Sequence, residues 1–518
     1  MPDARADQLI RRFEELRTGR STFEADLQDI VDLVMPAQKD INRQTFDGST
    51  RWQYKYDGTA TQALLEFASG LCSYITNPSE RWFELEFMDY DPAWDDEALA
   101  WLEDTSMAIY EVYRYPITAF TTAMHEGYLS LGSLGTTIIN QEMEYKPFPH
   151  ISLTSVPFAE CYLSENSGGK VDTVYRKRQF TTRQLLEKFD RGSDYLDKEL
   201  YDEKTPMEKR WEVLHCVYPR NKREPGAMAT SMLFASVWVD LTHKSVIRES
   251  GYDDLPYHVA RWIKYDNEPY GRSPAHTCLP EIRMVNSMER TNIRVGQKIA
   301  DPPLMVPDDD FATPIKTSPG SLIYVRDKEH MIEPLVSGSQ LPIAIEQTEQ
   351  KRGDIRRAFH NDWLKLGKEK QEMTAYETAD RRNEKLQMLA PMLGRIQSEW
   401  VGPMINRTYA LLQSMGKIRP APASIQGRSL RISYVGDAAK AQSGSRATNM
   451  ARFIEDLVPM GNIKPNIFDA VDEEAFVKEL AASRGVTRKI LRNPAAIEQM
   501  RQQRQMQEAA AAAEPASK

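Results

Sequence analysis

The chain has 518 residues but only four cysteines, and these lie far apart with no C-x-x-C pair: Cys72, Cys161, Cys216 and Cys278. This spacing predicts reduced intracellular thiols rather than a disulfide or zinc framework. No apolar run approaches the ~18 residues that a membrane span needs. Residues 1–5 also lack the apolar core of a signal peptide. We therefore predict no membrane association.

Motifs that carry catalytic chemistry are missing as well. The sequence has no G-x-x-x-x-G-K-[ST] phosphate loop and no G-x-S-x-G nucleophile elbow, although a Ser/His/Asp arrangement formed only on folding stays open. Residues 167–170, S-G-G-K, favour a hairpin turn by their composition. The pairs His215–Cys216 and His276–Cys278 lack the further partners of a zinc site. We predict no enzyme, no catalytic residues, no metal and no cofactor.

The first 271 residues predict helices followed by a β-rich region. Ser21 and Glu24 form a capping box that predicts a helix start at residue 21, and Pro36 ends that helix. Further helices are predicted at residues 59–75, 95–113, 117–131 and 182–189. Strands are predicted at residues 82–87, 136–142, 150–156, 160–164, 170–180, 211–218, 232–239 and 257–263, with a hairpin turn at 166–170. This part of the chain is predicted to be an α+β body.

Two helical segments, residues 274–300 and 342–366, enclose a compact irregular insert. Their apolar positions at helical spacing are Val285, Met288, Val295 and Ile299 in the first segment, and Ile355, Phe359, Trp363 and Leu366 in the second. Pro274 suits a first helical turn, and the prolines that follow Asp301 end the first helix. A helix of about 25 residues spans roughly 38 Å. Two such rods with a small domain between their far ends predict a stalk rather than a globular enzyme core.

Charge is distributed unevenly over this stalk. The whole chain carries a net charge of −9. Residues 272–300 carry five basic and two acidic side chains, residues 351–370 seven basic and three acidic, and residues 301–340 three basic and seven acidic. A solvated helical surface explains any single basic residue, but basic charge on both helices favours a polyanion nearby.

A polar loop at residues 367–372 follows the stalk and leads into a long helical pattern that ends near residue 415. Pro391 and Pro403 must kink this helix or divide it. Residues 430–435 predict a strand, and short helices are predicted within residues 438–492. Residues 502–518 are rich in Gln and Ala and are predicted to fray into disorder.

Residues 270–274, Y-G-R-S-P, and residues 301–309, D-P-P-L-M-V-P-D-D, bracket the first stalk helix. Together they resemble the passage from stem to clip in the portal proteins, or head-to-tail connectors, of T7-like short-tailed bacteriophages. Residues 373–378, M-T-A-Y-E-T, resemble the motif by which many phage portals open their long wing helix after the tunnel loop. Residues 77–83, N-P-S-E-R-W-F, and residues 158–189 are also similar to the family.

The resemblance implies an α+β, multi-domain portal fold. Its expected parts are N-terminal helices and an α+β wing in residues 1–271, stem helix 1 in 272–300, a small α/β clip in 301–341, stem helix 2 in 342–366, the tunnel loop in 367–374, the long kinked wing helix and a returning strand in 375–436, a helical crown in 437–493, and a partly disordered tail in 494–518.

The function that the resemblance implies is a ring of about twelve copies at one capsid vertex, through which the genome is packaged and ejected. The implied partners are double-stranded DNA passing non-specifically, the terminase large subunit, the tail adaptor protein, the major capsid and scaffolding proteins, and internal core or ejection proteins. The implied location is the portal vertex of the virion, after assembly in the host cytoplasm. A pI near 5.6 is a poor match for a protein that grips DNA tightly, but it fits a conduit.

Two alternatives come from other classes of protein. A scaffold or tail-tube protein would oligomerise without conducting DNA, and the paired basic helices around an acidic insert argue against it. A nuclease needs a carboxylate cluster that binds metal, and the sequence pattern gives no such cluster.

Candidate functional residues follow from charge and from the expected ring. The candidates for the DNA channel are Arg352, Arg356, Lys365, Lys368 and Lys370, which would meet phosphates without identifying bases. For each of these five residues, a salt bridge between subunits is an equally favoured interpretation. Asp308, Asp309 and Asp310 are the candidates for docking terminase and then the adaptor; this role, or a solvated acidic loop, is favoured over a weak site for a divalent cation.

Overall fold

The fold is taken from a computed structural model of the chain. It describes residues 3–36, 40–43, 54–78, 80–88, 95–189, 200, 205–220, 231–265, 268–300, 304–305, 333–334, 341–364, 390–435, 450, 452–455, 457, 476–477, 480–481 and 500–503. The elements below lie within these residues.

Helices make up much of the described chain. In chain order they are α1 (Ala4–Leu33), α2 (Thr59–Ile75), α3 (Asp96–Arg114), α4 (Phe120–Leu134), α5 (Thr182–Lys188), α6 (Pro274–Thr277), α7 (Leu279–Ala300), α8 (Leu341–Ala358), α9 (Asn361–Leu364), α10 (Ala390–Ile396) and α11 (Gly402–Ser414). A π-helical turn, Gln397–Val401, joins α10 to α11.

The strands form four antiparallel sheets. In chain order they are β1 (Phe83–Phe87), β2 (Thr136–Glu144), β3 (His150–Ser155), β4 (Cys161–Glu165), β5 (Val171–Thr181), β6 (Arg210–Pro219), β7 (Phe234–Asp240), β8 (Ser245–Tyr252), β9 (Tyr257–Arg261), β10 (Leu304–Met305), β11 (Glu333–Pro334) and β12 (Leu430–Tyr434). A five-stranded meander has the order β4-β5-β6-β7-β8, a three-stranded sheet has the order β3-β2-β9, and β1–β12 and β10–β11 form pairs. The fold is therefore α+β, as predicted.

Helix α4 lies at the centre of the main hydrophobic core and packs closely on two neighbours. A Cβ on Gly132 would come within 2.6 Å of Leu64 on α2, and a Cβ on Gly127 would come within 2.6 Å of the Trp400 ring. Small residues at such positions let packed elements approach each other. The glycines of α4 thus allow α2 and the π-helical turn to close on either side of it.

The long helix after the stalk passes Pro403 by widening one turn. The backbone amide of Gly402 bonds to the Gln397 carbonyl five residues earlier, which is the π pattern. Proline has no amide hydrogen and its ring clashes with the carbonyl four residues before it, so the wider turn accommodates Pro403. The break predicted at Pro403 is confirmed: the π-helical turn divides this helix into α10 and α11.

The helix start predicted at residue 21 is wrong. Helix α1 begins at Ala4, where the side chain of Asp3 accepts a hydrogen bond from the Arg5 amide and caps the helix. Ser21 lies inside the helix, and its hydroxyl donates to the Thr18 carbonyl. Apolar side chains before residue 21, such as Phe13, are buried and continue the helical pattern.

Each stalk segment has a break that the sequence pattern did not predict. Pro274 begins a helix as predicted, but α6 ends at Thr277 and α7 starts at Leu279, because Pro280 cannot supply the amide of a continuous helix. In the second segment, α8 ends at Ala358, and His360 has a φ of 56° before α9 begins. Buried Phe359 holds the chain at this bend.

The predicted strands agree with the observed strands within a few residues, and the turn at residues 166–170 joins β4 to β5 as a hairpin. Strand β8 was not predicted. It lies at the edge of the meander and carries charged and small residues, among them Arg248, Glu249 and Gly251, so its apolar alternation is weak.

Candidate functional site

The centre of the stalk is the antiparallel contact between α7 and α8, called here the α7–α8 seam. Near the globular body, Ile282 and Val285 of α7 and Ile355 of α8 are buried in the main core. Further along, the contact becomes polar: the Asn292 amide donates to the Thr348 hydroxyl at 3.4 Å. One side of each helix therefore faces its partner. Of the predicted apolar positions, Val285, Ile355 and Phe359 are buried, whereas Ile299 is 55% exposed.

Arg352, a candidate for the DNA channel, is enclosed by carboxylates of its own chain. Its guanidinium lies 2.7 Å from Asp57, 3.3 Å from Glu289 and 2.5 Å from Glu349. Burial opposes the charged form, but the hydrogen bonds that Arg352 donates to Glu349 and Asp57 raise its pKa above the ordinary value. The salt-bridge interpretation thus has a direct structural basis for Arg352, within one chain rather than between subunits.

The body end of α7 is also tied down by polar contacts. Arg283 pairs with Asp26 at 3.1 Å and with Asp29 at 2.5 Å on α1. The side-chain oxygen of Asn286 accepts hydrogen bonds from the backbone amides of Tyr56 and Asp57. These contacts fix the direction in which the stalk leaves the body.

Arg356 is the candidate whose charge remains exposed. It lies on α8 one turn after Arg352, and within the described part of the chain no carboxylate pairs with it. Its neighbour Arg357 instead pairs with Asp354 at 2.6 Å. Of the two described channel candidates, Arg356 is the one free to meet a phosphate.

The remaining candidates lie outside the described residues. These are Lys365, Lys368, Lys370, Asp308, Asp309 and Asp310. Only the base of the insert is described, where Leu304 pairs with Pro334 and Met305 pairs with Glu333 in the short β10–β11 ladder.

A row of basic residues on α7 was missed by the sequence analysis. Arg290, Arg294 and Lys298 are all exposed and follow one another at intervals of four residues, which places them on one helical face. The guanidinium of Arg290 lies 5.7 Å from the centre of the Tyr56 ring. Their regular spacing was the signal that could have identified them.

A second charged cluster joins strands β4 and β9 to the long helix. The guanidinium of Arg261, which is 1% exposed, pairs with Glu399 at 2.7 Å and with Glu165. It also donates to the Gly169 carbonyl at 2.9 Å, in the hairpin turn that the sequence predicted. Glu165 is shared with Lys264 at 3.0 Å. This cluster ties the β4–β5 hairpin to the π-helical turn.

The histidine–cysteine pairs serve packing and capping. The two ring nitrogens of His215 bond to the Tyr257 and Ser236 hydroxyls at 2.8 and 2.9 Å. His276 forms a reciprocal capping box with Ser273 at the start of α6. In the described ranges, no three histidine, cysteine or carboxylate residues are grouped so that they could hold a metal ion.

No helix that the structure describes combines the length and the apolar character needed to cross a membrane.

Comparison with known proteins gives matches along nearly the whole chain. Residues 6–491 match the family described as bacteriophage head to tail connecting protein. The chain is 28% identical over 538 residues to a probable portal protein of Bordetella phage BPP-1, with 97% of this chain and 92% of that protein covered. It is 24% identical over 543 residues to the portal protein of Salmonella phage epsilon15, with 99% and 93% covered.

Proposed function

This chain belongs to the bacteriophage head-to-tail connecting protein family, and we propose that it acts as a portal by closing into a ring of about twelve copies around a DNA channel. The portal role and a place at the connector of the phage head follow from the family and from both portal relatives. The observation that carries the proposal is the family match over residues 6–491, which is nearly the whole chain.

The stalk has the shape that this proposal needs. Helices α7 and α8 run antiparallel from the body, and the β10–β11 ladder lies between their far ends. In the proposed domain plan, α7 and α8 are the stem, residues 301–341 are the clip, and residues 367–374 are the tunnel loop. Strands β2 to β9 belong to the wing, and residues 437–493 form the crown.

In the proposed channel, basic side chains contact phosphates weakly, so that DNA can move through. Arg356, Lys365, Lys368 and Lys370 are the candidates for this contact. Arg352 contributes less in this scheme, because three carboxylates already surround its charge. Contacts of this kind weaken as salt rises.

The proposed partners at the two ends of the ring differ. The acidic clip, with Asp308, Asp309 and Asp310, docks the terminase large subunit during packaging and the tail adaptor afterwards. The other proposed partners are the major capsid and scaffolding proteins and the internal core or ejection proteins, and assembly takes place in the host cytoplasm. If deletion of residues 308–310 left terminase and adaptor binding unchanged, the docking assignment would be wrong.

The ring is tested by native mass spectrometry with negative-stain images of the same sample. We expect a closed ring with a central hole and a mass of about twelve times the chain mass of 59.3 kDa. A filament or a solid particle would instead favour the alternative of a scaffold or tail-tube protein.

A further inference from the structure

The α7–α8 pair carries opposite charges on its two outer sides. On α7, the exposed side chains of Arg290, Arg294 and Lys298 form one row, called here the basic edge. On α8, Glu346 is exposed. Within the described residues, neither Arg294, Lys298 nor Glu346 has an ion-pair partner in its own chain.

The contact across the α7–α8 seam shows where these charges lie. Asn292 and Thr348 meet at 3.4 Å, so they mark one level on the two helices. Arg294 comes two residues after Asn292, and Glu346 comes two residues before Thr348. At about 100° per residue, each charge lies about 200° around its helix from the contact. Arg294 and Glu346 therefore occupy opposite sides of the helix pair at nearly the same level.

From this geometry we propose that, in the ring of the proposed function, the basic edge of each copy pairs with Glu346 of the next copy. Arg294 and Glu346 of one chain point away from each other, so one chain cannot join them. A head-to-tail contact brings the two unlike sides together and repeats around a closed ring. A two-fold dimer of like sides would instead place basic charge against basic charge.

Exposed apolar side chains on the same two helices also favour a protein partner over DNA. Ile293, which precedes Arg294, is 41% exposed, and Ile345, which precedes Glu346, is 49% exposed. Protein interfaces bury apolar side chains next to polar ones. Binding to DNA depends mainly on phosphate charge, and would leave these isoleucines without a function.

The test uses charge reversal in the full chain. The variant Arg294→Glu places two glutamates opposite each other across the contact between copies, and Glu346→Arg places two arginines opposite each other. Because like charges would face each other, we expect the fraction of chain in rings to fall at least about tenfold in each single variant. The double variant Arg294→Glu/Glu346→Arg should assemble again, since it only exchanges the two members of the proposed pair.

An equimolar mixture of the two single variants gives the sharpest outcome. We expect it to form rings in which the variants alternate, with an even number of copies, although neither variant assembles alone. Arg11→Glu is the matched control, since Arg11 is an exposed arginine on α1 away from the stalk; it should assemble like the unaltered chain.

Failure of this inference can be told apart from failure of the portal assignment. If the unaltered chain forms rings and both single variants do too, the pairing between copies is wrong while the ring stands. If Arg294→Glu rings form normally but fill with less DNA, the basic edge faces the channel instead. If the unaltered chain forms no ring, both proposals fail together.

Discussion

Arg261 and Glu399 form a two-pronged ion pair in the interior of the protein: the Arg261 guanidinium donates at 2.7 and 3.2 Å to the two carboxylate oxygens of Glu399. Arg261 ends β9, and Glu399 lies in the π-helical turn. The pair therefore joins the sheet to the long helix, with Arg261 1% exposed and Glu399 16% exposed.

Removing one partner of this pair should be costly. We expect Glu399→Ala to lower the free energy of unfolding by about 3 kcal/mol, because it leaves the buried Arg261 charge with Glu165 alone. The measurement is urea unfolding. Glu86→Ala is the control, since its pair with Arg431 is partly exposed and should contribute only about 0–1 kcal/mol. Equal losses in both variants would contradict the buried role of Glu399.

Close packing at Gly127 gives a second prediction. Gly127→Ala should destabilise the protein by about 1–3 kcal/mol, since the new methyl group would overlap the Trp400 ring. Gly19→Ala is the opposite case: Gly19 is inside α1 with open space around it, so alanine should stabilise by about 0.5–1 kcal/mol. Thermal unfolding of the two variants should shift in opposite directions, and shifts of the same sign would refute the packing argument.

Arg352 and Arg356 are one turn apart but should behave differently. Arg352→Met should lower the free energy of unfolding by about 1–3 kcal/mol, because Asp57 is 8% exposed and loses its cation. Arg356→Met should change stability by less than about 0.5 kcal/mol and should reduce DNA filling of heads. Stability from urea unfolding and DNA content of purified heads separate the two effects. If Arg352→Met reduced DNA filling and Arg356→Met did not, the roles assigned to the two arginines would be exchanged.

The loop after the stalk is predicted to reach into the channel. Charge reversal at Lys368 and Lys370 should lower packaging or retention of DNA, since it removes attraction to phosphates, while the rings stay intact. The measurement is the DNA content of heads, together with the ring mass of the purified variant. Unchanged DNA filling would rule out contact between this loop and the genome.

Buried histidines make stability depend on pH. Burial lowers the pKa of His276 to about 4 and that of His258 to about 3, below the ordinary value of 6.5. At a pH between the folded-state pKa values and 6.5, the unfolded chain binds more protons than the folded chain. The folded state therefore loses stability as pH falls from 6.5 towards 4. Urea unfolding at pH 7 and at pH 5 should show this loss, and His276→Gln should reduce it. If His276→Gln left the pH dependence of the free energy of unfolding unchanged, other titratable groups would cause that dependence.

Local patterns were enough to predict most strands and helices, but not the contacts between distant parts. The alternation of apolar and polar residues identified the strands, because this pattern depends only on residues that are close in the sequence. Pro280 was a local signal for the break in the first stalk helix, whereas the bend at His360 depends on tertiary contacts, such as the 2.7 Å bond from Asn361 to Glu66. Arg352 and Asp57 are 295 residues apart, so no sequence pattern could have paired them.

The π-helical turn at Gln397–Val401 also sets the rotational phase of the helix that follows it. One additional residue in a turn rotates everything after it by about 100° relative to a regular α-helix. That rotation directs Arg407 to the Gln141 carbonyl at 3.1 Å and Thr408 to the Gln141 side chain at 2.8 Å. A regular α-helix of the same length would therefore aim Arg407 and Thr408 away from Gln141. Deleting one residue from the π-helical turn would instead restore an α-helical turn and keep the direction of α11.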